Sequence, residues 1–233
     1  MRFGAVFFDA GETLVHPEPS FPELFARIVT REGHPREPVA ISDGLSLVSD
    51  EFRRASEERA LWTTTPERSR RFWLGVYARF LDVLDLPRDD GLADTLYREF
   101  TDRRNYAAFD DVVPTLQALT DDGATLGVIS NYEAWLEDLL VDLQLSELLP
   151  VRVVSGIEGV EKPDPAIFHL ALDRVGLAPS EVVYVGDVPD FDYEPAEALG
   201  LFPVLIDRRG RHPDFTGARV TDLRDLAPLL EVS

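Results

Sequence analysis

From about residue 108 onward, segments with the pattern of a β-strand alternate with segments with the pattern of an α-helix. Short apolar runs rich in β-branched residues indicate strands at 124–130, 151–155, 181–187 and 202–207. Apolar residues at helical spacing indicate helices from Pro114 to Gly123, over 132–143, and from Pro165 to Gly176. Strands that alternate with helices over short connections form a parallel sheet covered by helices. The sequence therefore predicts an α/β fold.

One further strand precedes a long helical stretch. The apolar run from Phe3 to Phe8 has the pattern of a buried strand and ends at Asp9. Between about residues 16 and 107 only helical periodicity is present, and we expect no strand there. The sequence thus predicts two domains: a sheet-containing core made of residues 1–15 and 108–233, and an all-helical insert at 16–107.

Composition excludes several classes of function. The formal net charge of -20 repels nucleic acid and anionic membranes, so a small molecule is the expected partner. The absence of cysteine excludes disulfides and thiolate chemistry, and His16, His34, His169 and His212 lack the spacing of metal ligands. No apolar run approaches the roughly 20 residues that span a bilayer, and the start lacks signal-peptide features, so we expect a cytoplasmic protein. The sequence does not indicate an oligomeric state.

Polar residues follow the ends of the predicted strands. In open parallel sheets, ligands bind beyond the carboxyl ends of the strands. Each of these residues alone is compatible with a turn, a helix cap or a surface charge, but together they indicate a site. Lys162 is also the only lysine among 23 basic residues. In chain order, the residues are Asp9 with Thr13, Ser130 with Asn131, Lys162, and Asp187 with Asp192.

These residue types are suited to phosphoryl transfer. Asp9 can attack phosphorus to form an aspartyl-phosphate, which divides hydrolysis into two displacements. Asp187 and Asp9 supply the hard oxygen ligands that Mg²⁺ prefers. Ser130 can bind phosphate oxygens, and Lys162 can neutralise the charge that develops on them.

Four stretches resemble the sequence motifs of the haloacid dehalogenase (HAD) superfamily, in the same order and across nearly the whole chain. They are "FFDAGETL", "GVISN", "GVEKPDPAIF" and "YVGDVPDFDYEPAEALG". The resemblance implies a three-layer, Rossmann-like core with a parallel sheet. It also implies that the helical insert is a cap domain, which supplies substrate selectivity.

The resemblance also implies roles for individual residues. Asp9 would be the nucleophile and Lys162 its catalytic partner. Ser130, Asn131 and Thr13 would lie on the substrate side. The metal ligands would be Asp9, the main-chain carbonyl of Gly11, and Asp187, while Asp192 would support either the metal or Lys162. The expected activity is Mg²⁺-dependent hydrolysis of a small phosphorylated metabolite.

The first motif departs from the pattern of the superfamily's phosphatases at Gly11. Those enzymes usually have a second aspartate there, which protonates the leaving alcohol and then activates water. Loss of a positioned general acid/base typically costs about 10²–10⁴-fold in rate. A phosphatase is still possible if Glu12, His16 or the cap supplies the acid, or if the leaving group is a good one.

Two other functions remain open. A 2-haloacid dehalogenase needs neither metal nor a second aspartate, but dehalogenases lack the metal-binding acid that Asp187 provides here. A non-catalytic HAD-fold protein is the other alternative, and the joint presence of Asp9, Lys162 and Asp187 argues against it. The phosphonate-cleaving branch is excluded because it needs a cap lysine, and the insert contains none.

Overall fold

The computed structural model describes residues 3–58, 60–88 and 90–232. The chain divides into two compact units. The first consists of Met1–Val15 with Ala108–Ser233, and the second of His16–Ala107. Within the described residues, no helix is both long and apolar enough to cross a membrane.

The first unit contains a parallel sheet in the order β5-β4-β1-β6-β7-β8. A separate two-stranded sheet pairs β2 with β3, at the two places where the chain passes from one unit to the other. The strands are β1 (Ala5–Phe8), β2 (Val15–Pro17), β3 (Tyr106–Ala108), β4 (Thr125–Ser130), β5 (Val151–Val154), β6 (Val182–Gly186), β7 (Phe202–Ile206) and β8 (Arg219–Val220).

In the first unit, α-helices separate the successive parallel strands from β4 to β7 and one α-helix follows β8, and the second unit contains five α-helices among its described residues. The second unit contains α1 (Phe21–Arg31), α2 (Pro38–Asp43), α3 (Ser46–Glu57), α4 (Pro66–Val83) and α5 (Asp90–Phe100). The first contains α6 (Val112–Asp121), α7 (Leu136–Asp142), α8 (Ser155–Glu158), α9 (Pro165–Val175), α10 (Glu194–Ala198) and α11 (Leu226–Val232).

Strand β1 lies at the centre of the sheet. All four of its residues are buried, and its register aligns Phe8 with Val128 of β4 and with Val185 of β6. The residues that follow these three positions therefore leave the sheet at the same carboxyl edge. This edge is where the polar residues that follow the strands come together.

The α/β prediction with a parallel sheet is confirmed, and the differences are local. The expectation of no strand between residues 16 and 107 is wrong at the two ends of this range, where β2 pairs with β3. Each of these strands has only three residues, which is too short to give a pattern in the sequence. Helix α6 begins at Val112 rather than Pro114. Helix α7 begins at Leu136 because the residues before it form a turn, and β8 is too short to give a pattern.

Aromatic side chains form much of the core of the helical unit. Phe21 and Phe25 of α1 contact Phe80 of α4, with ring centroids 5.7 Å and 5.4 Å apart. Phe21 also stacks on Phe100 of α5 at 4.7 Å. These residues lie at the helical spacing seen in the sequence, so the periodicity corresponds to a real buried face.

Gly127 permits the close packing of the central strands, and its substitution tests this packing. A Cβ atom there would overlap the Val151 carbonyl oxygen and the ring of Phe7. We expect Gly127→Ala to lower the free energy of unfolding by about 1–3 kcal/mol because the core is already filled. Urea unfolding measures this change.

The matched control is Gly75→Ala in α4, where an added Cβ meets no atom within 4 Å. That change should stabilise the helical unit by about 1 kcal/mol because alanine has the higher helix propensity. Equal stability of Gly127→Ala and the wild type would contradict the packing argument.

Candidate active site

Asp9 leaves the carboxyl end of β1 and is nearly buried. Its backbone N–H donates to the Val185 carbonyl at 2.8 Å, which fixes the backbone at the end of the strand. Its Oδ1 atom accepts hydrogen bonds from Ser130 Oγ at 2.9 Å and from Lys162 Nζ at 2.6 Å. No described residue donates to Oδ2. One oxygen of the carboxylate is therefore held in place, while the other remains available for chemistry.

Lys162 is buried and uses its three ammonium donors fully. Besides Asp9, Nζ donates to Asp192 Oδ1 at 2.6 Å and to the Tyr184 hydroxyl at 2.9 Å. Burial alone lowers the pKa of Lys162, but the two carboxylates outweigh this effect and raise the pKa above its usual value. The ammonium is therefore charged throughout the neutral range.

Asn131 holds the backbone of Lys162 from the end of β4. Its Nδ2 donates to the Lys162 carbonyl at 2.8 Å, and its Oδ1 accepts from the Lys162 N–H at 2.6 Å. Both polar atoms of the amide are thus engaged within the protein. The contacts indicate that Asn131 positions Lys162, and the predicted role of Asn131 in substrate binding stays a prediction.

Asp192 lies in a π-helical segment, Pro189–Tyr193, and both of its oxygens are engaged. Oδ1 contacts Lys162 and the Tyr184 hydroxyl, the latter at 3.0 Å, and Oδ2 accepts from the Val188 N–H at 3.0 Å. A Cβ atom on Gly186 would overlap Cγ of Asp192. The glycine at the end of β6 therefore allows the carboxylate to approach Lys162.

Three carboxylates lie close together at this edge. One oxygen from each of Asp9, Asp187 and Asp192 lies within 4.8 Å of the others. Burial raises the pKa of Asp9 by more than the charge of Lys162 lowers it. Burial and then the charges of Asp192 and Asp9 raise the pKa of Asp187 well above its usual value. A single lysine does not balance this crowded negative charge.

The loop after Asp9 contains the departure at Gly11. A Cβ atom on Gly11 would meet only the Tyr132 ring, at 3.9 Å, so there is room for a side chain. No described residue donates a hydrogen bond to the Gly11 carbonyl. Glu12 is directed to Arg209, with Oε2 and Nη2 2.8 Å apart. His16, in the helical unit, has Nδ1 2.9 Å from the Pro17 carbonyl oxygen.

Thr13, a predicted substrate-binding residue, is fully buried, and its hydroxyl oxygen has no hydrogen-bond partner among the described residues. Its carbonyl accepts a hydrogen bond from Arg208 Nη2 at 2.7 Å. Arg208 in turn forms a two-pronged ion pair with buried Asp111, at 2.7 Å and 2.9 Å, and lies over the ring of Phe109. These contacts anchor the loop that follows Asp9 through the Thr13 carbonyl, and the substrate-binding role of Thr13 stays a prediction.

The contacts of Tyr184, Arg208 and Asp111 were not predicted from the sequence. Tyr184 had a visible signal, since it is a tyrosine within the otherwise aliphatic stretch "EVVYVG". A buried tyrosine hydroxyl needs a partner, and here the hydroxyl lies 2.9 Å from the Ile129 carbonyl oxygen and contacts Lys162. Arg208 and Asp111 carry no such signal because they are two of many charged residues in loops.

A family model described as haloacid dehalogenase-like hydrolase matches residues 3–200. "Haloacid dehalogenase-like hydrolase domain-containing protein 3" from Danio rerio is 30% identical over 88% of this chain and 85% of its own length. "Glyceraldehyde 3-phosphate phosphatase" from Methanopyrus kandleri is 37% identical over 50% of each chain. The chain thus spans only half the length of that phosphatase.

Two solved structures show how widely this fold is shared. The magnesium-bound HAD-hydrolase YfnB from Bacillus subtilis gives a TM-score of 0.78 at 16% identity and covers 99% of both chains. The L-2-haloacid dehalogenase RSc1362 gives 0.74 at 23% identity and covers 99% of this chain and 100% of its own. The shape of the fold therefore does not separate dehalogenases from other hydrolases.

The charge balance at Lys162 can be tested through stability. We expect Lys162→Met to lower the free energy of unfolding by about 3–5 kcal/mol in EDTA because it leaves buried carboxylates without a cation. Adding Asp192→Asn should restore part of this loss, since one uncompensated charge is removed. Urea unfolding of the single and double variants provides the measurement. A double variant no more stable than Lys162→Met would contradict this charge balance.

Proposed function

Because the chain belongs to the haloacid dehalogenase-like hydrolases, we propose that it is a Mg²⁺-dependent phosphatase of a small phosphorylated metabolite, with Asp9 as the nucleophile. The observation that carries the proposal is the environment of Asp9. Ser130 and Lys162 hold one carboxylate oxygen, while Asp187 lies beside it. The name of the Methanopyrus kandleri relative, a phosphatase, supports the same reaction class.

In the proposed reaction, Asp9 Oδ2 attacks the phosphorus atom and the ester bond to the leaving oxygen breaks. The leaving oxygen takes a proton from solvent. Water then attacks phosphorus, returns a proton to solvent and breaks the bond between phosphorus and Asp9 Oδ2, which gives inorganic phosphate and free Asp9. Lys162 and Ser130 keep the carboxylate oriented, and the Lys162 ammonium offsets charge on the phosphate oxygens. Asp192 and Asn131 keep Lys162 in place, through its ammonium and its backbone respectively.

The donor set fits a hard divalent cation. Asp9, Asp187 and the unengaged carbonyl of Gly11 offer oxygen ligands. Burial, and then the charges of Asp192 and Asp9, raise the pKa of Asp187, and a cation bound there would offset both effects. Bound there, Mg²⁺ supplies Lewis-acid stabilisation of negative charge on the phosphate. We assign Asp192 to Lys162 rather than to the metal because both of its oxygens already accept hydrogen bonds.

The acidic cluster also favours phosphatase over dehalogenase chemistry. A dehalogenase binds an anionic haloacid without a metal, and the Asp187 carboxylate beside Asp9 would repel that substrate. In a phosphatase, the same Asp187 carboxylate would bind the divalent cation, and the cation would offset its negative charge. We further propose that the helical unit His16–Ala107 is the family's cap domain.

Asp9→Asn tests the nucleophile. We expect the variant to lose phosphatase turnover because an amide cannot form the covalent intermediate, although it keeps the shape of the side chain. Hydrolysis of a panel of phosphomonoesters, with Mg²⁺ and with EDTA, is the measurement. Unchanged turnover in Asp9→Asn would exclude this mechanism.

Asp187→Asn tests the metal site. The variant should need about tenfold or more Mg²⁺ for half-maximal activity because it loses a charged oxygen ligand. The matched control is Asp190→Asn, an exposed aspartate three residues further along the chain. An identical Mg²⁺ requirement in the Asp187 variant and the wild type would remove Asp187 from the metal site.

Gly11→Asp tests the missing acid/base, since the structure has room for the side chain. A leaving alkoxide needs a proton and p-nitrophenolate does not. The ratio of kcat/KM for an alkyl phosphate to that for p-nitrophenyl phosphate should therefore rise by about 10²-fold in the variant. Gly11→Asn is the control of similar size without a carboxyl proton. Equal ratios in the two variants would show that position 11 does not act as an acid.

A further inference from the structure

A cavity of about 400 Å³ lies within the helical unit, between α3, α4 and the segment that joins them. Small-molecule sites typically measure about 300–1,000 Å³, so this volume is sufficient for a small organic ligand. All of its lining residues lie between positions 51 and 79. The cavity therefore belongs to the helical unit alone, and its residues take no part in the proposed phosphatase chemistry.

The cavity concentrates positive charge in an acidic protein. Among the described residues, four arginines and the two glutamates Glu51 and Glu58 line it, although the whole chain carries a formal charge of -20. Such a local reversal of the field favours an anionic ligand. The four arginines are Arg54, Arg68, Arg71 and Arg79.

Contacts within the unit fix three of the arginines and leave one available. Glu51 is buried and pairs with both Arg54 and Arg79, which holds these two guanidinium groups at the cavity. Arg68 donates from Nη1 to Thr64 Oγ1 at 2.9 Å. Arg71 is exposed and makes no hydrogen bond or ion pair with any described residue. Its planar donor group suits a carboxylate or a phosphate.

One wall of the cavity is aromatic. Trp62 is buried and stacks on Phe72, with ring centroids 5.6 Å apart and planes at 28°. Phe52 packs against both rings, at 5.6 Å and 5.3 Å. These rings offer a flat apolar surface beside the guanidinium groups. The combination suits a ligand that has an anionic head and a flat apolar body.

Gly75 opens the cavity at the middle of α4. A glycine inside a helix costs about 1 kcal/mol relative to alanine. Crowding does not require it here, since an added Cβ would meet no atom within 4 Å. Because Gly75 lines the cavity, the missing side chain leaves space that a larger residue would fill.

We propose that this cavity is a binding site for a small organic anion, in which Arg71 contacts a carboxylate or phosphate head and the Trp62–Phe72 wall contacts an apolar body. The site lies beyond the proposed phosphatase function and does not depend on it. Its charge comes from the arginines of α3 and α4, and its shape depends on Gly75.

The fluorescence of Trp62 gives a direct test. The chain has three tryptophans, so a Trp73→Phe, Trp135→Phe background leaves Trp62 as the sole reporter. This protein is titrated in EDTA with phenylphosphonate, with benzoate, and with neutral benzyl alcohol. We expect saturable quenching by at least one of the anions at millimolar concentration and none by the alcohol.

Variants separate the contributions of charge and space. Arg71→Ala should weaken anion binding by about tenfold because a charge-assisted contact is lost. Its matched control is Arg70→Ala, which removes the neighbouring arginine of α4 that pairs with Asp94, and should leave binding unchanged. Gly75→Leu should abolish binding while α4 stays folded, as followed by circular dichroism. Binding unchanged in both Arg71→Ala and Gly75→Leu, or no saturable response to either anion, would overturn the proposal.

Discussion

The contacts of the Lys162 ammonium hold the candidate site together. This one group joins Asp9 at the end of β1, Asp192 in the segment after β6, and Tyr184 within β6. Asp9 and Asp192 are buried with little water to stabilise their charge, so each depends on a cation at hydrogen-bond distance. A compact ammonium with three donors meets three partners at one point, whereas a planar guanidinium would need a wider arrangement. This geometry explains why position 162 is a lysine in a chain whose other basic residues of this class are all arginine.

That arrangement depends on features of the sheet that have no charge. Gly186 lets Asp192 fold back towards Lys162, and Gly127 lets β4 pack closely beside β1 and β5. Asn131 fixes the backbone of Lys162 in the loop between α8 and α9. This contact helps to hold the Lys162 ammonium next to Asp9. On the other side, Arg208 ties the loop after Asp9 to buried Asp111. Backbone contacts thus position the candidate catalytic groups together with the side-chain contacts of Lys162.

The sequence was sufficient to predict the parallel α/β fold and a group of strand-end residues that the structure brings into contact. Parallel sheets impose this result, because the ends of neighbouring strands must meet at one edge. The short strands β2 and β3 and the anchoring pair of Arg208 and Asp111 could not be predicted, since they depend on contacts between segments far apart in the chain. Sequence motifs also suggested a substrate role for Asn131 and Thr13. A motif records which residues occur together, but it does not record which atoms are already engaged, as both polar atoms of the Asn131 amide are here.

The central claim is that Asp9 becomes covalently phosphorylated. The most direct measurement is acid quenching of the protein during turnover of a phosphomonoester in ¹⁸O-labelled water, followed by mass spectrometry of the peptide that contains Asp9. Our account predicts one phosphoryl group on Asp9 during turnover, and ¹⁸O in the released phosphate but not in Asp9, because water attacks phosphorus. Turnover without phosphorylation of that peptide, or ¹⁸O in the Asp9 carboxylate, would contradict the account. The second result would instead indicate attack on the carboxyl carbon of an ester, as in dehalogenase chemistry.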